Sequence, residues 1–127
     1  MENDIITTKV AKIWMGEDNI IRIFYFQNVD ITLQDAKEIL EISMKLNRGK
    51  QYPMLIDARQ VKSISPKARK YNSGQEASTV YTVAAVLIGS PVSRMIANFV
   101  LKFNKPLMPT KLFTDENQAI VWLKGFL

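Results

Sequence analysis

The chain has 127 residues, the usual size of one domain, and 47% hydrophobic against 23% charged residues suits a wholly folded globular protein. It carries 17 basic and 12 acidic residues for a net charge of +5, but shows no aromatic-and-basic nucleic-acid module, which argues against DNA or RNA as a partner. Cys and His are both absent, which excludes disulfides, thiolate chemistry, His-based triads, zinc sites built on either residue and histidine phosphotransfer, and suits a reducing compartment.

The opening stretch MENDIITTKV has acids where a signal peptide needs basic residues, and the longest apolar run, Val83 to Ile88, is too short to span a bilayer. Cytoplasm is therefore the expected location. From Thr8 to Met15, apolar and polar positions alternate as in a strand with one buried face; Gly16 to Asn19 turns the chain, and Ile20 to Phe26 returns as the second strand of a hairpin. Thr32 followed by Asp35 forms a capping-box pattern, and Gly49 closes the segment, so a helix is expected over Leu33 to Arg48. Its stripe of Gln34, Lys37, Glu41, Lys45 and Arg48 faces solvent, leaving Leu33, Ala36, Ile39, Leu40 and Met44 to cover a sheet.

Pro53 to Asp57 has the composition of a buried parallel strand ending at a loop. Ser65-Pro66 starts a helix, with Ser as cap and Pro in the first turn, that runs to about Ser73 and stops at Gly74. Thr79 to Ile88 is almost wholly apolar and β-branched, a central strand covered on both faces. After Gly89-Ser90-Pro91, the residues Val92, Met95, Ile96, Phe99, Val100 and Phe103 recur with the strongest helical period in the chain. That period predicts a core helix to Asn104, with Phe99 as its anchor and Lys102 on the wet face. The segment Lys105 to Pro109 breaks it, Thr110 to Phe113 forms an outer strand, and Thr114 caps a last helix with Ala119, Ile120 and Leu123 inward and Trp122 at the margin. The expected architecture is α/β in the order ββαβαβαβα, a mixed sheet of about five strands in which a hairpin is followed by right-handed crossovers past four helices.

This order, with the Met54 to Asp57 strand and the loop after it, resembles the STAS domain, the fold of the bacterial anti-sigma-factor antagonist SpoIIAA. The carboxyl-terminal third, SPVSRMIANFVLKFNKPLMPTKLFTDENQAIVWL, is similar to uncharacterised bacterial SpoIIAA-like domains, in which a Ser-Arg helix, a Lys-Pro break and a terminal Trp-Leu helix recur. The resemblance implies a non-catalytic regulatory domain that binds a protein partner or itself. In the antagonists a serine at the start of the helix after the third strand is phosphorylated. The matching positions here are Ser65, Pro66 and Lys67, of which two bear no hydroxyl and the first is a helix cap, so the phosphoswitch is expected to be absent. The same resemblance implies an alternative, a small-ligand or lipid-binding domain. A cavity above about 300 Å³ would favour that alternative, and a filled interior beneath an exposed apolar patch would favour interaction.

Two places invite an anion or a partner. Arg59 to Lys70 contains Arg59, Lys62, Lys67, Arg69 and Lys70 without an acid, near a helix start. Ser90, Ser93 and Arg94 follow the central strand, where open α/β sheets place ligands; in the plainer alternative Ser90 caps the helix and Arg94 pairs with an acid such as Asp57. Asp57 at a strand end invites comparison with a phospho-accepting receiver domain, but the order of acids and lysine along the chain does not match one. No catalytic residue, cofactor or metal ligand is assigned, since Asp57 with Lys67 amounts to two charges near one loop. Trp14, Tyr25, Phe26, Phe126 and Leu127 exceed what one domain readily covers, which favours a homodimer.

Overall fold

The computed structural model describes residues 4–127; Met1 to Asn3, part of the stretch inspected for a leader, lie outside the described residues. Strand β1 (Ile6–Thr7) precedes the hairpin β2 (Ala11–Met15) and β3 (Ile21–Tyr25), whose turn is fixed by Asp18: its carboxylate accepts from the Ile20 amide at 3.2 Å and from both terminal nitrogens of Arg22 at 2.8 and 2.9 Å. After a short β4 (Asp30–Ile31), α1 (Leu33–Asn47) begins with the expected capping box, Asp35 donating its amide to Thr32 Oγ1 while its carboxylate accepts from the Thr32 amide. Then follow β5 (Tyr52–Asp57), β6 (Ser63–Ile64), α2 (Pro66–Asn72), the helical turn α3 (Gln75–Ser78), β7 (Tyr81–Leu87), α4 (Pro91–Phe99), β8 (Thr110–Phe113) and α5 (Glu116–Lys124).

The main sheet has six strands in the order β1-β2-β3-β5-β7-β8, antiparallel through the hairpin and parallel from β3 onward, where about five strands were expected. The extra strand is β1, whose two residues are too few to register in an alternation pattern. Strands β4 and β6 form a separate parallel pair beside the sheet. All four expected helices are present.

The two sheet faces are covered unequally. On one, α5 alone packs Ala119 and Leu123 onto Ile20, Leu55, Val83, Ala85 and Leu87, with Phe113, Ile120 and Trp122 at the edge. On the other, Ala36, Ile39 and Leu40 of α1 and Ala68 of α2 join Ile13, Ile23, Tyr25, Met54, Tyr81 and Ala84, with Ile96 of α4 at the margin. The β5–β7 register shifts between Tyr52↔Tyr81 and Met54↔Ala84, an extra residue in β7 that places Tyr81 and Ala84 on the α1 face while Val83, Ala85 and Leu87 face α5. Tyr81 then donates its hydroxyl hydrogen to Ser43 Oγ at 2.7 Å, and Asn47 Nδ2 donates to the Val80 carbonyl at 2.9 Å, so two polar residues of α1 are buried with partners.

Four expectations about side chains are corrected. Met44 is exposed, because Ser43 and Asn47 occupy the inward turn of α1. Tyr25 lies in the core rather than in a surface excess. Asp115, not Thr114, caps α5, its carboxylate accepting from the Asn117 and Gln118 amides at 2.8 and 3.2 Å. The largest correction concerns α4, whose strong apolar stripe points outward. Val92, Met95, Phe99 and Phe103 are 42%, 65%, 44% and 63% exposed, while Ser93 and Ala97 are buried, so Phe99 is no core anchor.

Candidate functional site

The outward turn of α4 goes with a local hydrogen-bond pattern at its start. Ser90 and Ser93 form a capping box: the Ser93 amide donates to Ser90 Oγ at 3.0 Å, and Ser93 Oγ accepts from the Gly89 and Ser90 amides at 3.1 and 3.0 Å. These bonds draw Ser93 against the end of β7, where it is 3% exposed. With about 3.6 residues per turn, Ala97 follows Ser93 inward, and Val92, Met95 and Phe99 are carried roughly a third of a turn away, into solvent. The helix continues as a π-helical turn over Val100–Asn104, closed by the Lys105 amide donating to the Val100 carbonyl at 3.0 Å, and Phe103 remains on the outer side with its ring 4.6 Å from that of Phe99.

Cations surround this stripe. The Arg69 guanidinium of α2 stacks 4.5 Å from the Phe99 ring centre, and Lys102 Nζ lies 5.4 Å from that of Phe103. Arg94, Lys102 and Lys105 are exposed on the same segment. The result is an apolar helix face within a positive rim.

The residues singled out in the sequence fall into two groups. Asp57 and Arg59 pair side-on at the end of β5, Arg59 Nε and Nη2 donating to the carboxylate at 3.0 and 2.7 Å, with Glu116 3.8 Å away. The hydrogen bonds that Arg59 donates to Asp57 raise the Arg59 pKa above its already high ordinary value. A Cβ at Gly89 would sit 3.3 Å from Arg59 Cγ, close enough that Arg59 would have to shift by a few tenths of an ångström. Asp57 is therefore engaged by Arg59, and Arg94 is not its partner. Ser65 forms the second group with Arg69: Ser65 Oγ accepts from the Ala68 amide at 3.1 Å as the cap of α2, and Arg69 reaches both α4 and the carbonyl of Ile64, donating from Nη1 at 2.9 Å. Lys67 is exposed on α2. The expected basic cluster is thus divided, with Arg59 neutralised at the sheet end and Arg69 committed to the α2–α4 contact.

Between the sheet and helices α1, α2 and α4 lies an apolar cavity of about 140 Å³, bounded by Ile23, Tyr25, Met54, Tyr81, Ile96 and Ala97 among others. Among the described residues, Arg69 is the one charged residue in its wall. Neither the outward turn of α4 nor this cavity was expected from the sequence. The Ser-x-x-Ser spacing at residues 90–93 was the available signal, since it marks Ser93 for the inward side of the first turn.

Among the described residues, no helix is long and apolar enough to cross a membrane. The fold is similar to that of an uncharacterised protein of the DUF3478 family from Shewanella loihica PV-4, which has a SpoIIAA-like fold; the two share 15% identity at a TM-score of 0.57 over 96% of this chain and 92% of that one. A protein of unknown function from Arthrobacter sp. FB24 is 33% identical over 87% of this chain and 96% of that one, with a TM-score of 0.36. No curated protein matches the chain. The fold is SpoIIAA-like, and since the family model described as a domain of unknown function, DUF7793, matches residues 13–127, the chain belongs to that family.

Proposed function

We propose that this protein is a non-catalytic, cytoplasmic interaction module of SpoIIAA-like type that holds a protein partner against the outward face of α4. The observation that carries the proposal is the exposure of Val92, Met95, Phe99 and Phe103 along one helix face. Large contiguous apolar patches rimmed by polar groups mark docking surfaces, and aromatic side chains contribute most to such interfaces. The cations around the stripe favour a partner segment with apolar anchors flanked by Asp or Glu. They also disfavour a second copy docked on the same face, because a two-fold contact would bring two positively charged rims together. The cavity of about 140 Å³ falls below the size of ordinary drug-sized ligand sites, which weighs against a lipid carrier. Ser65 is occupied as a helix cap, in keeping with a module that works without the phosphoswitch.

A photoreactive amino acid placed at Met95 in the native cell tests this proposal, with a second at exposed Glu17 as control. The expected result is one discrete adduct with an identified protein, formed from Met95 and not from Glu17, that is reproduced with the two purified proteins. Adducts between copies of this chain alone, or membrane recovery without any protein adduct, would overturn it.

A further inference from the structure

Arg69 is better placed than any other cation in the molecule to bind something small. Its Nη1 donates to the Ile64 carbonyl and its plane stacks on Phe99, but its Nε is sealed from solvent and has no hydrogen-bond partner. Among the described residues no acid lies within ion-pair distance of it. A buried donor left unsatisfied is costly; Asn47 Oδ1, Thr82 Oγ1 and Asn104 Oδ1 are buried without partners too, but Arg69 alone carries a charge, for which an anion is the matching partner. The edge of a guanidinium formed by Nε and Nη2 is the edge that takes a carboxylate side-on, as Arg59 shows here with Asp57. Arg69 also lines the cavity, whose wall is otherwise apolar or neutral. Tyr25 stands in the same wall, and burial pushes its phenol well above the usual range, so it remains a neutral group there at ordinary pH.

We infer that this cavity is a binding site for a small apolar monocarboxylic acid, whose carboxylate pairs with the Nε–Nη2 edge of Arg69 and whose hydrocarbon part lies between the sheet and helices α1 and α4. The volume sets the size: about 140 Å³ is close to that of a cavity of roughly 150 Å³ known to admit benzene, so the acid carries a phenyl group or a short aliphatic chain rather than a full lipid tail. The single charge in the wall sets the class, because an apolar ligand without an anion leaves Arg69 Nε unpaired, and a dianion brings a second charge with no counterpart. The site lies beneath the face of α4 proposed for docking, and Arg69 touches both.

Calorimetric titration of the full chain with 3-phenylpropanoate and octanoate, and with the matched alcohols, tests the inference. The carboxylates are expected to bind about tenfold or more tightly than the alcohols, the difference a charge-assisted hydrogen-bonded pair makes. Arg69→Gln should abolish that preference while leaving the alcohols unaffected, and Lys67→Gln, on the exposed side of α2, should change nothing. Ala97→Leu, which fills the cavity with Arg69 intact, should abolish binding of acids and alcohols alike. No saturable binding at millimolar concentration, equal affinity for acid and alcohol, or an undiminished preference in folded Arg69→Gln would each overturn the site. If Arg69→Gln does not fold, the acid-to-alcohol ratio in the parent and the Ala97→Leu result decide. A negative outcome leaves the docking role of α4 intact, since no partner takes part.

Discussion

The two faces of the sheet use apolar residues in opposite ways. Beneath α5, Ala119 and Leu123 meet Ile20, Val83, Ala85 and Leu87 with no exposure at all, and that face is closed. Beneath α4 the contact is made by Ser93, Ala97 and the half-buried Ile96, which leave a gap to Ala84 and Val86, while Val92, Met95 and Phe99 face water. A helix with a stronger apolar stripe than α5 thus contributes less to the core. An apolar period thus locates a helix without saying which side of it the protein itself covers.

Leu123→Ala sharpens the contrast most. It removes a fully buried side chain from the closed face and is expected to cost about 2–5 kcal/mol in a denaturant melt, against a total stability of about 5–15 kcal/mol. A cost below about 1 kcal/mol would mean that the α5 face is not closed. The next effect is confined to alkaline pH. Burial raises the pKa of both Tyr25 and Tyr81 above the ordinary 10.0, so their contribution to stability is whole below pH 10 and is lost as pH rises from there toward the folded values. Tyr25→Phe should accordingly flatten the fall in stability above pH 10, read from melts at a series of pH values, and an unchanged fall would place Tyr25 in contact with solvent.

Phe99→Ala should cost only about 1 kcal/mol, because nearly half of the ring is already in water and removing it opens no closed cavity. A loss of about 3–5 kcal/mol, the usual cost for a buried Phe, would show the stripe packed inward after all. The smallest effect belongs to the hairpin. Hydrogen bonds from Arg22 hold the Asp18 carboxyl below its ordinary 3.8, so the pair adds stability above that pH and loses it as pH falls through the lowered value. Asp18→Asn is expected to cost about 0.5–1 kcal/mol at neutral pH and nothing in strong acid, by the same melts.

Much of the fold was legible because local signals agreed with one another. The hairpin, the Thr32–Asp35 capping box, the Ser65-Pro66 helix start and the apolar β7 each paired a period with a cap or a turn. The misplaced side chains are those decided across the chain. Ser43 is inward because Tyr81 reaches it, and Tyr81 reaches it because β7 carries an extra residue; no local pattern holds that information. On α4 the buried side is that of Ser93 and Ala97 rather than that of the apolar period, a choice made by packing on the sheet that the period does not hold. For the candidate site the same limit applied. The sequence marked Arg59 and Arg69 alike as members of a basic run, and only the tertiary arrangement gives Arg59 to Asp57 and leaves Arg69 Nε unpaired.

The most direct test of the central claim is the affinity for the partner identified by crosslinking, measured for the parent and for Met95→Ser/Phe103→Ser. Both side chains are more than half exposed, so their removal should leave the melt nearly unchanged. The double variant should bind about tenfold or more weakly, the loss expected when central apolar anchors are removed. Undiminished affinity of the stably folded double variant would show that the partner binds elsewhere and would contradict the account.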